Sequence, residues 1–336
     1  MGRDPHGWSR RSVLVLGVGG AAWLAGAPNG LADVGPGART PSYALLPFAA
    51  TSPWRLPVAD TATFAPDDDP RNLAMADCDV PGQAWVNYDS YSHPISFADR
   101  TDPVVTMTDT DRGLSWKERI PVRARIAAGT DAHMHVITPD RKRVIEHWVT
   151  KRRRNGSYTC RHRAVVELAG SGIDGGARAY GGSAIGGLIR SWEVREGLVQ
   201  HPLAIALRVE QMRLGPVWPA SSDDNTPDYT GPIPMGSYFA IPPDVDLTDL
   251  GLQSRAARAV ARACQDYGVY VVDSGGAAAL FVQDDGKPAT ARWHASLVGP
   301  DWTAVDVRTI FQALRVITDN TPSALRNRGR DAQGAA

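Results

Sequence analysis

From residue 84 onward the chain is dominated by short runs of alternating apolar and polar residues, broken by Gly, Pro, Asn and Asp. Strand side chains point alternately to two faces, so a period of two predicts half-buried strands. Strands are expected over 84–88, 94–97, 104–108, 120–126, 157–168, 198–209, 238–241, 269–276 and 278–282, with turn residues between them. Helical patterning is scarcer. Residues 252–267 form one long amphipathic stretch with Arg255, Arg258 and Arg262 on its polar side, and Gly268 ends it. A final amphipathic helix is expected over 302–316. Shorter helical pieces are expected at 71–76, behind Asp67-Asp68-Asp69-Pro70, and at 191–197, with Ser191 as N-cap and Gly197 as C′. The pattern predicts a mainly β chain: a single-domain, jelly-roll-like β-sandwich over 46–319 with one long helix and a short C-terminal helix.

The densest chemistry lies in Gly129-Thr-Asp-Ala-His-Met-His-Val-Ile-Thr-Pro-Asp-Arg-Lys-Arg-Val-Ile-Glu-His-Trp-Val149. Residues 132–137 and 144–149 are rich in β-branched and aromatic residues, and Pro139-Asp140 between them supplies a turn. The hairpin register sets His135 opposite Glu146 and His133 opposite Trp148, all four on one face. Met134, Val136, Ile145 and His147 take the other. A one-residue slip would exchange the faces. The first face is either an ordinary solvated surface or a groove floor. In the groove Trp148 would stack a ring and the His/Glu group would act as acid, base or metal ligand.

Composition narrows the choice of partner. Lys and Arg number 36 and Asp and Glu number 36, so the formal net charge is zero. Nothing in that balance points to nucleic acid or an anionic membrane. Ten tryptophans, several in Gly/Pro-rich contexts, suit sugar stacking or a β-sandwich core. Cys78, Cys160 and Cys264 match no zinc pattern and no disulfide framework, leaving either one bridge with a free thiol or three thiols. Gly170–Gly187 lacks the Gly-x-Gly-x-x-Gly spacing and a phosphate-binding lysine, so it is expected to be a long loop near the groove mouth rather than a nucleotide loop. The basic run Lys151-Arg-Arg-Arg-Asn-Gly156 reads as an exposed turn.

The N-terminus has its own signature. Ser9-Arg10-Arg11-Ser12-Val13-Leu14 resembles the twin-arginine export motif and precedes a Gly/Ala-rich apolar stretch too short for a stable membrane span. A signal peptide over 1–32, a linker over 33–45 and a disordered tail over 320–336 are expected. The chain is thus expected to be secreted already folded, with no membrane association after signal removal.

The motifs Pro47-Phe-Ala-Ala-Thr-Ser-Pro-Trp54, Gly129-Thr-Asp-Ala-His-Met-His135, Gly187-Leu-Ile-Arg-Ser-Trp-Glu193, His201-Pro-Leu-Ala204, Val217-Trp-Pro-Ala220, Pro234-Met-Gly236 and Tyr267-Gly-Val-Tyr-Val-Val-Asp273 span most of the chain after residue 46. On these residues the chain resembles a group of twin-arginine-exported, mostly uncharacterised actinobacterial secreted proteins. The resemblance implies one shared β-rich fold and carries no catalytic residue with it.

The expected function is that of a secreted enzyme acting on an extracellular polysaccharide. For a glycoside hydrolase the acid/base carboxylates are expected at Glu146 and Asp273, with Asp131 in reserve. For a lyase acting on a uronate, His133, His135 or His201 would be the base and Arg190 would neutralise the substrate carboxylate. Trp148, Arg190, Glu193, His201 and Trp218 are the expected substrate contacts. No cofactor is expected; a metal at His133, His135 and Glu146 is the lesser alternative. The competing class is a lectin-like binding protein using Trp148, Trp192 and Trp218. Convergence of the carboxylates and histidines favours the enzyme, and a shallow aromatic strip favours the binder.

Overall fold

The alternating runs form strands, but they are gathered into separate sheets by long-range pairing. The chain divides into two units, Met1–Thr40 and Pro41–Ala336. The computed structural model describes residues 46–299 and 303–325, all in the second unit. The expected export signal, the whole of the expected linker and the end of the tail lie outside the described residues.

A six-stranded mixed sheet runs, in spatial order, Ala84–Asn87, Ala278–Phe281, Leu203–Arg208, Val269–Gly275, Tyr238–Ala240 and Arg315–Val316. The first two strands pair in parallel, as do Leu203–Arg208 and Val269–Gly275. The remaining neighbours are antiparallel. Residues 203–207 and 269–272 are buried on both faces, which explains their continuous apolar sequence. Helix Arg255–Asp266 packs against Tyr238–Ala240, and helices Pro288–Val298 and Val305–Ala313 lie against Ala84–Asn87 and against each other. Ser254 caps the first of these by accepting the Ala257 N–H at 3.0 Å. Its buried side is Ala256, Ala257, Val260, Ala261, Ala263 and Cys264, small residues that let the helix approach closely. Gly268 then turns left-handed at φ +73°, where a Cβ would collide with the Phe239 carbonyl.

The hairpin sheet runs Ile95–Phe97, Met134–Ile137, Arg143–Trp148 and His162–Glu167. A side sheet runs Leu114–Arg119, Val104–Asp109, Tyr158–Cys160 and Lys151–Arg152, and a small ribbon pairs Met212–Arg213 with Ile233–Pro234. The hairpin sheet lies between two cores. Its Ile137, Val144 and Val166 join the large core of the six-stranded sheet. Its Met134 and Val136 pack into a smaller core with Met107, Ile120, Tyr158 and Cys160 of the side sheet region. The molecule is sheet-rich with few helices, and no barrel closes among the described residues.

Several elements differ from expectation. Residues 120–126 form no strand: Pro121 cannot donate to a ladder, and Val104–Asp109 pairs with Leu114–Arg119 across a turn closed by Gly113 N–H to the Asp109 carbonyl at 2.9 Å. Residues 157–168 break at Arg161 into two strands of different sheets. Helix Pro288–Val298 is additional, opened by a proline at its first position after the Asp284–Lys287 turn. Ser191 is the first helical residue of Ser191–Glu196 rather than its cap; the Arg190 N–H is taken by the Glu193 carboxylate at 2.8 Å. Asp69 does cap Pro70–Ala76, accepting the Arg71 N–H at 2.9 Å. Part of the stretch expected to be a disordered tail is ordered: residues 322–325 form a helical turn and Leu325 is buried. All three cysteines are free and buried. No helix among the described residues is long and apolar enough to cross a membrane.

Candidate functional site

The hairpin has the register its pattern predicts. His135 faces Glu146, Val136 faces Ile145 and Met134 faces His147. A further strand completes the site: Ile95–Phe97 pairs in parallel with Met134–Ile137, Ile95 opposite His135. Continued two residues back, that register brings His93 alongside His133, and the His135 N–H bonds the Pro94 carbonyl at 3.2 Å. Three imidazoles from two neighbouring strands thereby meet. His93 and His133 rings lie 4.5 Å apart, His93 and His135 5.1 Å, and His133 and His135 5.4 Å. His93 Nδ1 is 2.9 Å from His135 Nε2.

This face is neither a solvated surface nor an open groove floor. His93, His133, His135 and Glu146 are all buried, beneath the glycine-rich segment 170–187. That segment can fold tightly because a Cβ at Gly176 would run into the Gly182 carbonyl. Glu146 holds it down. Its carboxylate accepts from the Ser183 hydroxyl at 2.5 Å, from the Ala184 N–H at 3.0 Å and from the Ala177 N–H at 2.9 Å. Burial raises the Glu146 carboxyl, against the pull of these donors. With both oxygens engaged, Glu146 is a loop anchor, not the substrate-facing carboxylate or the metal ligand expected from its position.

The same segment delivers Arg178 into the cluster. Its guanidinium is buried 4.0 Å from the Phe281 ring centroid, donates through Nη2 to His93 Nε2, and approaches Asp273 Oδ2 through Nη1 at 3.8 Å. Burial and the Arg178 charge hold the histidines neutral: His133 is pushed down to about 3, and His93 and His135 fall well below the usual range. Asp273 lies at the outer end, its side chain 27% exposed. Burial pushes its carboxyl up to about 7 despite Arg178, and the charges of Asp224 and Asp131 add to the rise. Asp224 accepts from the Ser274 hydroxyl at 2.6 Å and the Tyr229 hydroxyl at 3.0 Å. Asp131 is raised by burial, partly offset by a hydrogen bond from Trp148.

The remaining expected residues go elsewhere. His201 and Glu193 form a buried pair at 3.1 Å, and His201 Nδ1 lies 2.8 Å from the Pro202 carbonyl. Burial opposes the His201 cation, but Glu193 and that carbonyl raise its pKa overall. Arg190 donates to Gln283 at 3.0 Å, in the buried interior. Arg190, Glu193 and His201 are thus a structural knot under the 191–196 helix. A small surface pocket lined by Phe48, Trp54, Arg190 and His201 lies beside this knot, away from the histidine cluster. Trp148 has Arg161 over its ring at 5.3 Å, and Trp54 stands edge-on to Tyr180 and Tyr270 in the core. The Trp218 carbonyl accepts from Asn320 at 3.0 Å.

Reading the sequence missed His93, Arg178 and Asp224. His93 had a usable signal, since it stands immediately before the expected strand 94–97. The placement of Arg178 depends on a long loop and had none.

The cluster His93, His133 and His135 has the donors and the spacing to hold a metal ion, their ligand nitrogens lying within 4.8 Å of one another. Comparison with protein-family models, with curated proteins and with solved structures found no match for this chain.

Proposed function

We propose that this chain is an exported glycan-active enzyme that cleaves a polysaccharide by general acid–base hydrolysis, with Asp273 as the acid. One observation carries the reading: Asp273 stands, partly open to solvent, at the outer end of a buried guanidinium, with Asp131 and Asp224 close enough to act on its charge. A carboxyl that keeps its proton near neutral pH can deliver it to a glycosidic oxygen, and a neighbouring ionised carboxylate can activate water or attack the sugar. Asp224, oriented by Ser274 and Tyr229, is the second carboxylate. The same reading takes the hairpin sheet and side sheet, packed across the smaller core, as the layers of a jelly-roll-like sandwich. The convergence of titratable groups favours an enzyme over a lectin. The neutral histidines would suit a lyase base, but they lie covered, whereas Asp273 is reachable.

The test is a screen of the chain from Asp33 against a polysaccharide panel, reading reducing ends and the ultraviolet absorbance of a new double bond. New reducing ends without that absorbance are expected. Asp273→Asn is expected to lower turnover by roughly 10²–10⁴-fold, with an unchanged circular dichroism spectrum. Because the acid must be protonated, turnover should fall as pH rises through about 7. Full turnover by Asp273→Asn would overturn the assignment, and growth of the absorbance would move the chemistry to elimination.

A further inference from the structure

We infer that His93, His133 and His135 are the ligands of one divalent d-block cation of the zinc class, held behind the carboxylate site. The inference stands apart from the proposed hydrolysis, since it concerns binding alone.

Two observations carry it. First, His135 lies in the strand Met134–Ile137 with His133 directly before that strand, and His93 stands two residues before the adjacent parallel strand Ile95–Phe97, so the pairing of these strands brings the three rings together. Their ligand nitrogens lie within 4.8 Å of one another. Secondly, Nδ1 of His133 and Nδ1 of His135 are buried without any hydrogen-bond partner. A buried polar atom left unpaired is costly, and at His133, in the tautomer that leaves Nδ1 unprotonated, a cation that takes the Nδ1 lone pair removes that cost.

The donor set selects the ion. Three imidazoles with no thiolate suit zinc, cobalt, nickel or copper, and they do not suit calcium or magnesium, which require oxygen ligands. Three protein ligands leave a fourth position for water or an exogenous ligand, as in catalytic rather than structural zinc sites. Glu146 does not fill it, because both its oxygens are taken by the 170–187 segment.

Arg178 opposes the ion and sets the condition for its entry. While Arg178 donates to His93 Nε2, the His93 proton must sit on Nδ1, which then points at His135 Nε2. For His93 to ligate through Nδ1, its proton has to move to Nε2, and Arg178 has to leave that nitrogen. Asp273, already 3.8 Å from Arg178 Nη1, is placed to receive the guanidinium. Metal and the Arg178–His93 bond are therefore mutually exclusive, and the net proton count does not change.

The test uses the full chain, stripped with a chelator and then titrated with Zn²⁺ and with Co²⁺. The expected result is one bound ion per chain by elemental analysis, a ligand-field spectrum of a low-coordinate Co²⁺ site, and imidazole scattering in the X-ray absorption of the zinc form. His93→Ala and His133→Ala should each weaken binding by more than the roughly 10–100-fold loss that removal of an outer contact produces. His162→Ala, outside the cluster, should bind as the wild type. Arg178→Met should bind more tightly, because the competing donor is gone. If the histidine variants do not fold, the wild-type spectra decide alone. Folded wild-type chain that takes up no stoichiometric Zn²⁺ or Co²⁺, or an absorption spectrum without imidazole ligands, would overturn the site. So would undiminished binding by a folded His133→Ala.

Discussion

The two faces of one hairpin bury histidines in opposite ways. On the inner face His135 has a partner at one ring nitrogen and none at the other, and His133 likewise leaves Nδ1 unpaired. On the outer face His147 is complete: Nε2 lies 2.8 Å from Glu118 Oε2, and Nδ1 lies 3.1 Å from the Met134 carbonyl. Arg163 pairs with the other Glu118 oxygen and stacks over Trp116 at 4.8 Å. The outer set is a closed network of a carboxylate, an imidazole and a guanidinium. The inner set has two imidazole nitrogens with nowhere to go. Depth does not distinguish them, since both are buried; completeness does. A satisfied polar knot holds sheets together, whereas unsatisfied nitrogens at one point mark a place built to receive something.

Substitutions on the two faces should therefore differ most in stability. Glu118→Gln leaves His147 and Arg163 without their carboxylate, and breaking a buried pair of this kind costs about 3–5 kcal/mol; chemical denaturation monitored by tryptophan fluorescence should show it. A cost under about 1 kcal/mol would mean that the outer network is not structural. The acid limb of stability comes next. Burial raises the Glu118 carboxyl, but His147 and Arg163 outweigh it, so its folded-state pKa lies below the ordinary 4.5. Its stabilisation is fully present above pH 4.5 and is lost as pH falls through the lowered value. Denaturation midpoints across that range should drop in the wild type and stay flatter in Glu118→Gln.

A smaller change is expected inside. His135→Leu in metal-free protein should cost about 1–3 kcal/mol, because it removes an unpaired nitrogen but leaves His93 Nδ1 without its acceptor. A loss as large as that of Glu118→Gln would make the inner cluster structural as well and erase the contrast. The least effect belongs to Glu167→Gln. Arg143 and Glu167 meet at 2.5 Å on the same sheet, but both side chains are exposed, and solvent and salt screen such a pair. That variant gauges how much of the contrast is burial and how much is charge alone.

The local pattern contained the hairpin in full. Alternation from 132 to 137 and from 144 to 149, with Pro139-Asp140 between, determines which residues share a face, because strand side chains have a period of two. The long helix is equally legible in its alanines and arginines, with Gly268 after it, although it begins three residues later than expected, behind the Ser254 cap. Asp273 could be picked out as a carboxylate at a strand end. Local pattern failed where pairing crosses long stretches of chain. It could not say that residues 84–87 pair in parallel with 278–281, nor that 157–168 divides between two sheets.

The sequence by itself determined what each strand presents: two histidines and a glutamate on one side of the hairpin, apolar residues and His147 on the other. Only the tertiary structure decided what covers them. The 170–187 segment buries the face, ties up Glu146 and inserts Arg178. The parallel strand Ile95–Phe97 brings in His93, while Arg190, Glu193 and His201 are drawn into a knot of their own. Side-chain direction is local, set by backbone dihedrals within a few residues. Burial, ionisation and ligand geometry depend on which distant segment arrives, and the chain pattern at either end does not record that meeting.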